Sequence, residues 1–241
     1  MGTLYIVSTP IGNLQDITLR AIKILGEVDY VACEDTRKTG LLIQHLSPSP
    51  SPNSPKPSFI SYYEENEQQR IPEILRLLQE GKNVALVSNA GTPLVSDPGF
   101  KLVRECIAQG IKDEAIPGAS AVLTALASSG LPTDKFLFLS FLPIKQGKKL
   151  KLLESLKNFR QSSNIAISNL TIIFYESPYR LIKTLTDLKD VYGDIEIVNC
   201  RELTKIYEEI RREKVSQSID HFQNTKPKGE FTILFNMSTN L

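Results

Sequence analysis

The sequence predicts an α/β protein of two domains, the first built on a mostly parallel sheet and the second on a mixed one. Three observations carry this. Short apolar runs alternate with segments of helical periodicity through the first half, and such alternation implies crossover units with parallel neighbouring strands. Strand signals crowd together near the end of the second half. A chain of 241 residues with 41% hydrophobic and 23% charged residues is also long enough to bury one large core or two small ones.

The elements follow in order. Leu4 to Ser8 is an apolar run ending in the turn-rich Thr9-Pro10-Ile11-Gly12-Asn13, and Asp16 to Leu25 has apolar residues at helical spacing behind a capping Asp. The same pair recurs as Val28 to Cys33 with Thr36 to Leu46, Ser58 to Tyr62 with Glu67 to Gln79, and Val84 to Ser88 with Gly99 to Gln109. After Pro117-Gly118 a small helix is expected over Ala119 to Ser128. A strand over Phe136 to Phe141, a lysine-rich stretch and helix, and a strand over Leu170 to Glu176 come next. A helix over Tyr179 to Lys189 precedes strands at Ile195 to Arg201, Glu209 to Val215 and Phe231 to Phe235. The domains are therefore drawn as 1–116 and 117–241. No internal repeat is visible.

Two segments resist this rhythm. Ser and Pro fill ten of the twelve positions from Ser47 to Ser58, and Gln161 to Asn169 is polar without a period. Neither has the apolar residues to order itself against a core, so both read as surface loops without chemistry.

Formal net charge is +1, so the chain as a whole lacks the field of a strongly basic nucleic-acid binder. The balance is uneven, with 11 basic and 14 acidic residues before Pro117 and 17 and 13 from there on. Any basic surface belongs to the second half. Cys33, Cys106 and Cys200 are far apart and accompanied only by His45 and His221, which gives neither a zinc spacing nor a disulfide framework. No basic leader opens the chain and no run approaches the roughly 18 apolar residues that cross a bilayer, so a cytoplasmic protein with no membrane partner is expected.

In an open parallel sheet, ligands collect beyond the carboxyl ends of the strands. Four strand-end loops stand out here: Ser8 to Asn13; Glu34-Asp35-Thr36-Arg37; Ser88-Asn89-Ala90-Gly91-Thr92-Pro93 continuing to Ser96-Asp97-Pro98-Gly99; and Ile116-Pro117-Gly118-Ala119-Ser120-Ala121. Their glycines punctuate turns or let a ligand approach the backbone. None of the 13 glycines stands in G-x-G spacing and no Walker-type motif occurs, which argues against hydride transfer, nucleotide hydrolysis and the commonest methyltransferase fingerprint.

These residues carry a resemblance. Leu4 to Leu14 with Asp16-Ile17-Thr18-Leu19-Arg20-Ala21 is similar to the opening of the tetrapyrrole-methylase-like S-adenosylmethionine enzymes, and more closely to their ribosomal RNA branch, which methylates cytidine 2′-oxygens of small-subunit rRNA. Glu34 to Arg37, Ala90 to Pro93, Ser96 to Gly99, Pro117 to Ala121 and Ser129 to Asp134 support it. So do Phe174 to Arg180, Arg201 to Lys205 and Lys228 to Phe231, so that the match runs through nearly the whole chain. Three departures stand out: Asn89 where that branch usually has Asp, Tyr179 where it usually has His, and the Ser/Pro segment, which resembles an insertion. Asn89 keeps a hydrogen-bonding side chain but not the charge.

The resemblance implies a tetrapyrrole-methylase-like pair of α/β domains with a cofactor cleft between them. S-adenosylmethionine would be lined by Thr9, Pro10, Gly12, Asn13, Ser88, Asn89, Ala90, Gly91, Thr92, Ser96, Asp97, Ser120, Ala121, Gly229 and Glu230. It further implies a homodimer acting on 16S rRNA in the small ribosomal subunit. Methyl transfer needs the ribose oxygen held in line behind the methyl carbon, and a base for its proton. With His nearly absent, the catalytic candidates are Glu34, Asp35, Arg37, Glu176 and Arg180. Asp35 reads equally well as a helix cap with Arg37 paired to it on the surface. Lys145, Lys148, Lys149 and Lys151, with Lys157 and Arg160 beyond them, form the candidate RNA surface, against the plain reading of a solvated charged face. Two other activities stay open: methylation of a tetrapyrrole carbon or a modified protein side chain, and RNA binding without catalysis.

Overall fold

The computed structural model describes residues 1–46, 56–162 (159–162 by backbone alone) and 169–236. Most of the Ser47 to Ser58 and Gln161 to Asn169 segments lies outside the described residues. The chain forms two compact units, Met1–Ser120 and Ala121–Leu241.

The first unit is one parallel sheet. Its strands are β1 (Thr3–Val7), β2 (Tyr30–Cys33), β3 (Ser58–Ser61), β4 (Val84–Val87) and β5 (Lys112–Ile116), in the order β3-β2-β4-β1-β5. All four strand pairs are parallel. Helices α1 (Leu19–Glu27), α2 (Thr36–Leu46), α3 (Glu67–Gln79) and α4 (Phe100–Ala108) provide crossovers. Side chains alternate across the sheet with the strand period of two. Leu4, Ala32, Val84 and Leu86 face a core shared with Ile71, Ile74, Leu78 and Leu102 of α3 and α4. Val7, Val31, Cys33, Ala85 and Val87 face the opposite core with Ala21 and Leu25 of α1. Burial on both faces is why these strands read as continuous apolar runs.

The second unit holds β6 (Phe136–Phe141), β7 (Thr171–Glu176), β8 (Glu196–Arg201), β9 (Glu209–Lys214) and β10 (Phe231–Asn236), ordered β6-β7-β10-β8-β9. Only β6 and β7 are parallel, so the sheet is mixed, as the sequence predicts. Helices α6 (Gln146–Ser162), α7 (Leu181–Tyr192) and α8 (Val215–Asn224) enclose a core of Leu153, Phe174, Leu185, Phe222, Ile233 and Phe235. Helix α5 (Ala121–Ser129) packs on β10, and Arg212 of β9 donates to the carbonyls of Ser128 and Ser129 at the end of α5.

Several local expectations change. Asp16 does not cap the first helix. It ends a short 3₁₀ turn, Leu14–Asp16, while the Thr18 hydroxyl accepts the Ala21 N–H at 3.1 Å and starts α1. β5 is an edge strand whose Lys-Asp-Glu opening hides it from an apolar-run reading. α8 begins at Val215, which the sequence placed at the end of a strand. The side chain of Gln217 accepts the Lys214 N–H at 3.0 Å, and Asp194 accepts the N–H and hydroxyl of Ser216, so the strand-to-helix switch is fixed by polar contacts.

Candidate functional site

Parallel pairing brings the carboxyl ends of β2, β4, β1 and β5 side by side along one edge of the first unit. The loops that follow them are stitched together. Thr9 and Gly91 exchange backbone hydrogen bonds at 2.9 and 3.0 Å, and the Thr9 hydroxyl donates to the Ser88 carbonyl at 3.2 Å. Ser8 Oγ donates to Thr92 Oγ1, and Thr92 Oγ1 to the Ala119 carbonyl, each at 3.2 Å. Gly118 permits this closeness, since a Cβ there would stand 2.8 Å from the Ser8 Cβ. Gly91 has φ +82° and a Cβ on it would lie 3.3 Å from Ile11 Cγ2.

This stitching refines the expected role of these residues. The amides of Thr9 and Gly91 are consumed by each other, so they build the floor of the loop cluster. Thr9, Pro10 and Ser88 are buried, while Gly12, Asn13, Asn89 and Ala90 are exposed at the rim and Thr92 is half-buried. Asn13 also accepts the Gln15 N–H at 3.0 Å. Ser120 and Ala121 are half-buried, Ala121 opening α5.

Glu34, immediately after β2, reaches the loop after β4. Its Oε2 accepts from Asn89 Nδ2 at 2.5 Å. Burial, reinforced by the negative charge of Asp97, holds the Glu34 carboxyl above its ordinary range. Burial likewise raises Asp97, against a hydrogen bond with Ser88. Glu34 is therefore a carboxylate with raised basicity at the carboxyl end of the parallel sheet. Asp35 has a different job. Its Oδ1 accepts the N–H groups of Lys38 (3.2 Å) and Arg37 (2.9 Å), capping α2, and these bonds hold its carboxyl below the usual range. The Arg37 side chain is exposed.

The Ser96 to Gly99 loop is tied at Gly99 by Glu67, a residue not singled out from the sequence. Leu94 and Ser96 adopt left-handed backbone with φ of 71° and 68°. Such conformations persist only where the surroundings enforce them. Buried Glu67 of α3 anchors the far end of this loop. Its Oε1 accepts from Gly99 N at 3.0 Å and Tyr62 Oη at 2.8 Å, and its Oε2 pairs with Lys101 at 2.9 Å. Burial pushes the Glu67 carboxyl up, but these partners outweigh it and the net shift is downward. An open cavity of about 300 Å³ lies here, lined by Glu64, Glu67 and Ser96 to Lys101.

In the second unit two of the candidate residues are buried in ion pairs. Glu176 is fully buried, pairs with Arg180 at 2.6 Å and accepts from Thr184 Oγ1 and Ser177 N, each at 2.7 Å. These partners give the carboxylate a structural role at the end of β7. Arg180 also donates to the Leu142 carbonyl at 3.1 Å. Lys149 is buried too, 2.6 Å from Asp187 and 3.1 Å from Thr184 Oγ1, so its charge is spent inside the protein and it leaves the candidate RNA surface. Lys145, Lys148 and Lys151 are exposed. Gly229 has φ +86°, and Glu230 is tied to Glu202 through its N–H and carbonyl and to Lys205 at 3.0 Å through its carboxylate.

Among the described residues no cluster of His, Cys, Asp and Glu has the makings of a metal site, and no helix is long and apolar enough to cross a membrane. The three cysteines are buried and free.

The fold is that of known methyltransferases. The methyltransferase CobJ superposes with a TM-score of 0.67 at 18% identity, covering 100% of this chain and 97% of that one. Uroporphyrin-III C-methyl transferase from Thermus thermophilus, solved with S-adenyl homocysteine, does so with a TM-score of 0.60 at 16% identity and 98% coverage of both. Residues 3–218 match the family model of the Tetrapyrrole (Corrin/Porphyrin) Methylases, and the chain belongs to that family. Ribosomal RNA small subunit methyltransferase I of Thermotoga maritima is 47% identical over 97% of this chain and 98% of its own length. The protein of that name from Synechocystis is 46% identical over 97% of this chain and 78% of its own.

The cofactor of a methylase of this family is S-adenosylmethionine. The strand-end loops suit such a group: Gly91 is held where a Cβ would crowd Ile11, and the rim offers small polar side chains beside the Glu34 carboxylate.

Proposed function

We propose that this protein methylates the ribose 2′-oxygen of a decoding-centre cytidine in 16S rRNA of the small ribosomal subunit. The observation that carries the reading is the Glu34 carboxylate, raised in basicity and oriented by Asn89 at the ligand-binding edge of a methylase sheet. Relatives at 46 to 47% identity bear the name of a small-subunit rRNA methyltransferase, and that supports the choice of substrate.

A ribose hydroxyl is a poor nucleophile at neutral pH, and a positioned base contributes about 10² to 10⁴ in rate. Glu34 takes the 2′-hydroxyl proton as the oxygen forms its bond to carbon. Asn89, donating to Oε2, fixes the carboxylate and leaves Oε1 for the substrate proton. Burial, with the negative charge of Asp97 second to it, keeps Glu34 basic. S-adenosylmethionine, when bound, would supply an electrophilic methyl group on a sulfonium, with a neutral thioether as the leaving group. Ser88 to Thr92 and Thr9 to Asn13 would hold it by shape and polar contact, with Ser96, Asp97 and Ser120 as further contacts. The reading extends to a homodimer working in the cytoplasm.

The test supplies methyl-labelled cofactor and small subunits lacking the modification, followed by digestion to nucleosides. Label in 2′-O-methylcytidine supports the proposal. Label in a base, in protein or only in an added tetrapyrrole rejects it.

A further inference from the structure

The second unit carries a basic and apolar surface whose parts are locked together from beneath. Tyr179 is 92% exposed and Ile144 86% exposed. They lie on two separate segments, the turn after β7 and the loop after β6, and the bond from Arg180 to the Leu142 carbonyl ties those segments together. Lys145, just before α6, Lys148 and Lys151 on α6, and Lys183 on the adjoining α7 are exposed, and none is in an ion pair with any described residue. The seam below accounts for this arrangement. Lys149 bonds Thr184 and Asp187, and Gln146 Nε2 donates to Asp187 Oδ1 at 2.5 Å. Lys148 and Lys183 are the immediate chain neighbours of Lys149 and Thr184, so the backbones that carry them are held together by this seam. Asp187 and Glu176 are buried and already neutralised by Lys149 and Arg180. Glu154 is exposed but lies a helical turn beyond.

We infer that this surface binds single-stranded RNA, with Tyr179 as a stacking platform for a base, Ile144 as an apolar contact beside it, and Lys145, Lys148 and Lys183 on the phosphates. Exposed aromatic groups among unpaired cations are the combination that single strands use, since every base has a face to stack and every nucleotide a phosphate. The buried seam is the positioning device that holds platform and cations in register. The inference deepens the RNA reading given above and rests on it.

The test measures binding of a short unstructured RNA oligonucleotide to the full chain across a salt series, alongside S-adenosylhomocysteine affinity by calorimetry and sedimentation. Tyr179→Ala should weaken RNA binding about tenfold, with the salt slope unchanged, and Tyr179→Phe should restore it. Replacing Lys145, Lys148 and Lys183 by Ala should lower the slope of log affinity on log salt by about 0.7 for each phosphate that is no longer neutralised. Cofactor affinity should not move in any of them. RNA binding that is absent from the wild type, or untouched by these changes, overturns the inference. So does a Tyr179→Ala variant that alters only the sedimentation, which would make the patch a contact between copies of this chain. If the wild type binds RNA through this surface yet transfers no methyl to it, the surface stands and the proposed reaction falls.

Discussion

Asn89 donates to Glu34 at 2.5 Å, joining the loop after β4 to the loop after β2 and giving a partly buried carboxylate a fixed orientation. The two strands are adjacent and parallel in the sheet, so the contact follows from topology as much as from the side chains.

Glu34→Gln removes the proton acceptor while keeping the shape. Methyl transfer should fall by about 10² to 10⁴. In the wild type, kcat/KM should rise with pH through the elevated Glu34 pKa, because only the ionised carboxylate accepts a proton. The variant should lack that limb, and a pH–rate profile of both proteins reads the difference.

Asn89→Asp sets a second carboxylate against the first. Like charges at this distance disfavour double ionisation, so the acidic limb should move to higher pH. An unmoved limb would show that the Glu34 proton is not the one being followed.

Glu67→Gln weakens the anchor of the Ser96 to Gly99 loop, and at pH 7 should cost about 1 to 3 kcal/mol. The folded-state pKa of Glu67 is depressed, so its contribution is fully present above the ordinary carboxylate range and is lost as pH falls through the depressed value. Urea unfolding of both proteins between neutral and acid pH should show their stabilities converging at the acid end.

Lys149→Ala leaves Asp187 charged and buried without its partner, and should destabilise by about 3 to 5 kcal/mol. The double change of Lys149→Met with Asp187→Leu removes both charges and should recover much of the loss. Denaturant midpoints for the single and double variants decide this.

The two-sided parallel sheet was legible because strands buried on both faces are apolar throughout, as in Val84 to Val87. β5 escaped because an edge strand opening Lys-Asp-Glu has no such signature. The buried charges were missed for one shared reason. Lys149 lies on the helical stripe of Leu153 and Leu156, and Glu67 on that of Ile71, Ile74 and Leu78, so phase placed both toward a core. The sequence offered that signal, but composition alone assigns such charges to solvent. The partners were out of reach: Asp187 is 38 positions from Lys149, and Gly99 is 32 from Glu67. Glu34 and Asn89 stood out singly as strand-end residues, and only the fold brought them together.

A crystal structure with S-adenosylhomocysteine bound tests the central claim most directly. The ligand is expected against Ser88 to Thr92 and Thr9 to Asn13, with its sulfur facing the Glu34 carboxylate. Density for the ligand away from these loops, or with the sulfur directed away from Glu34, would contradict it.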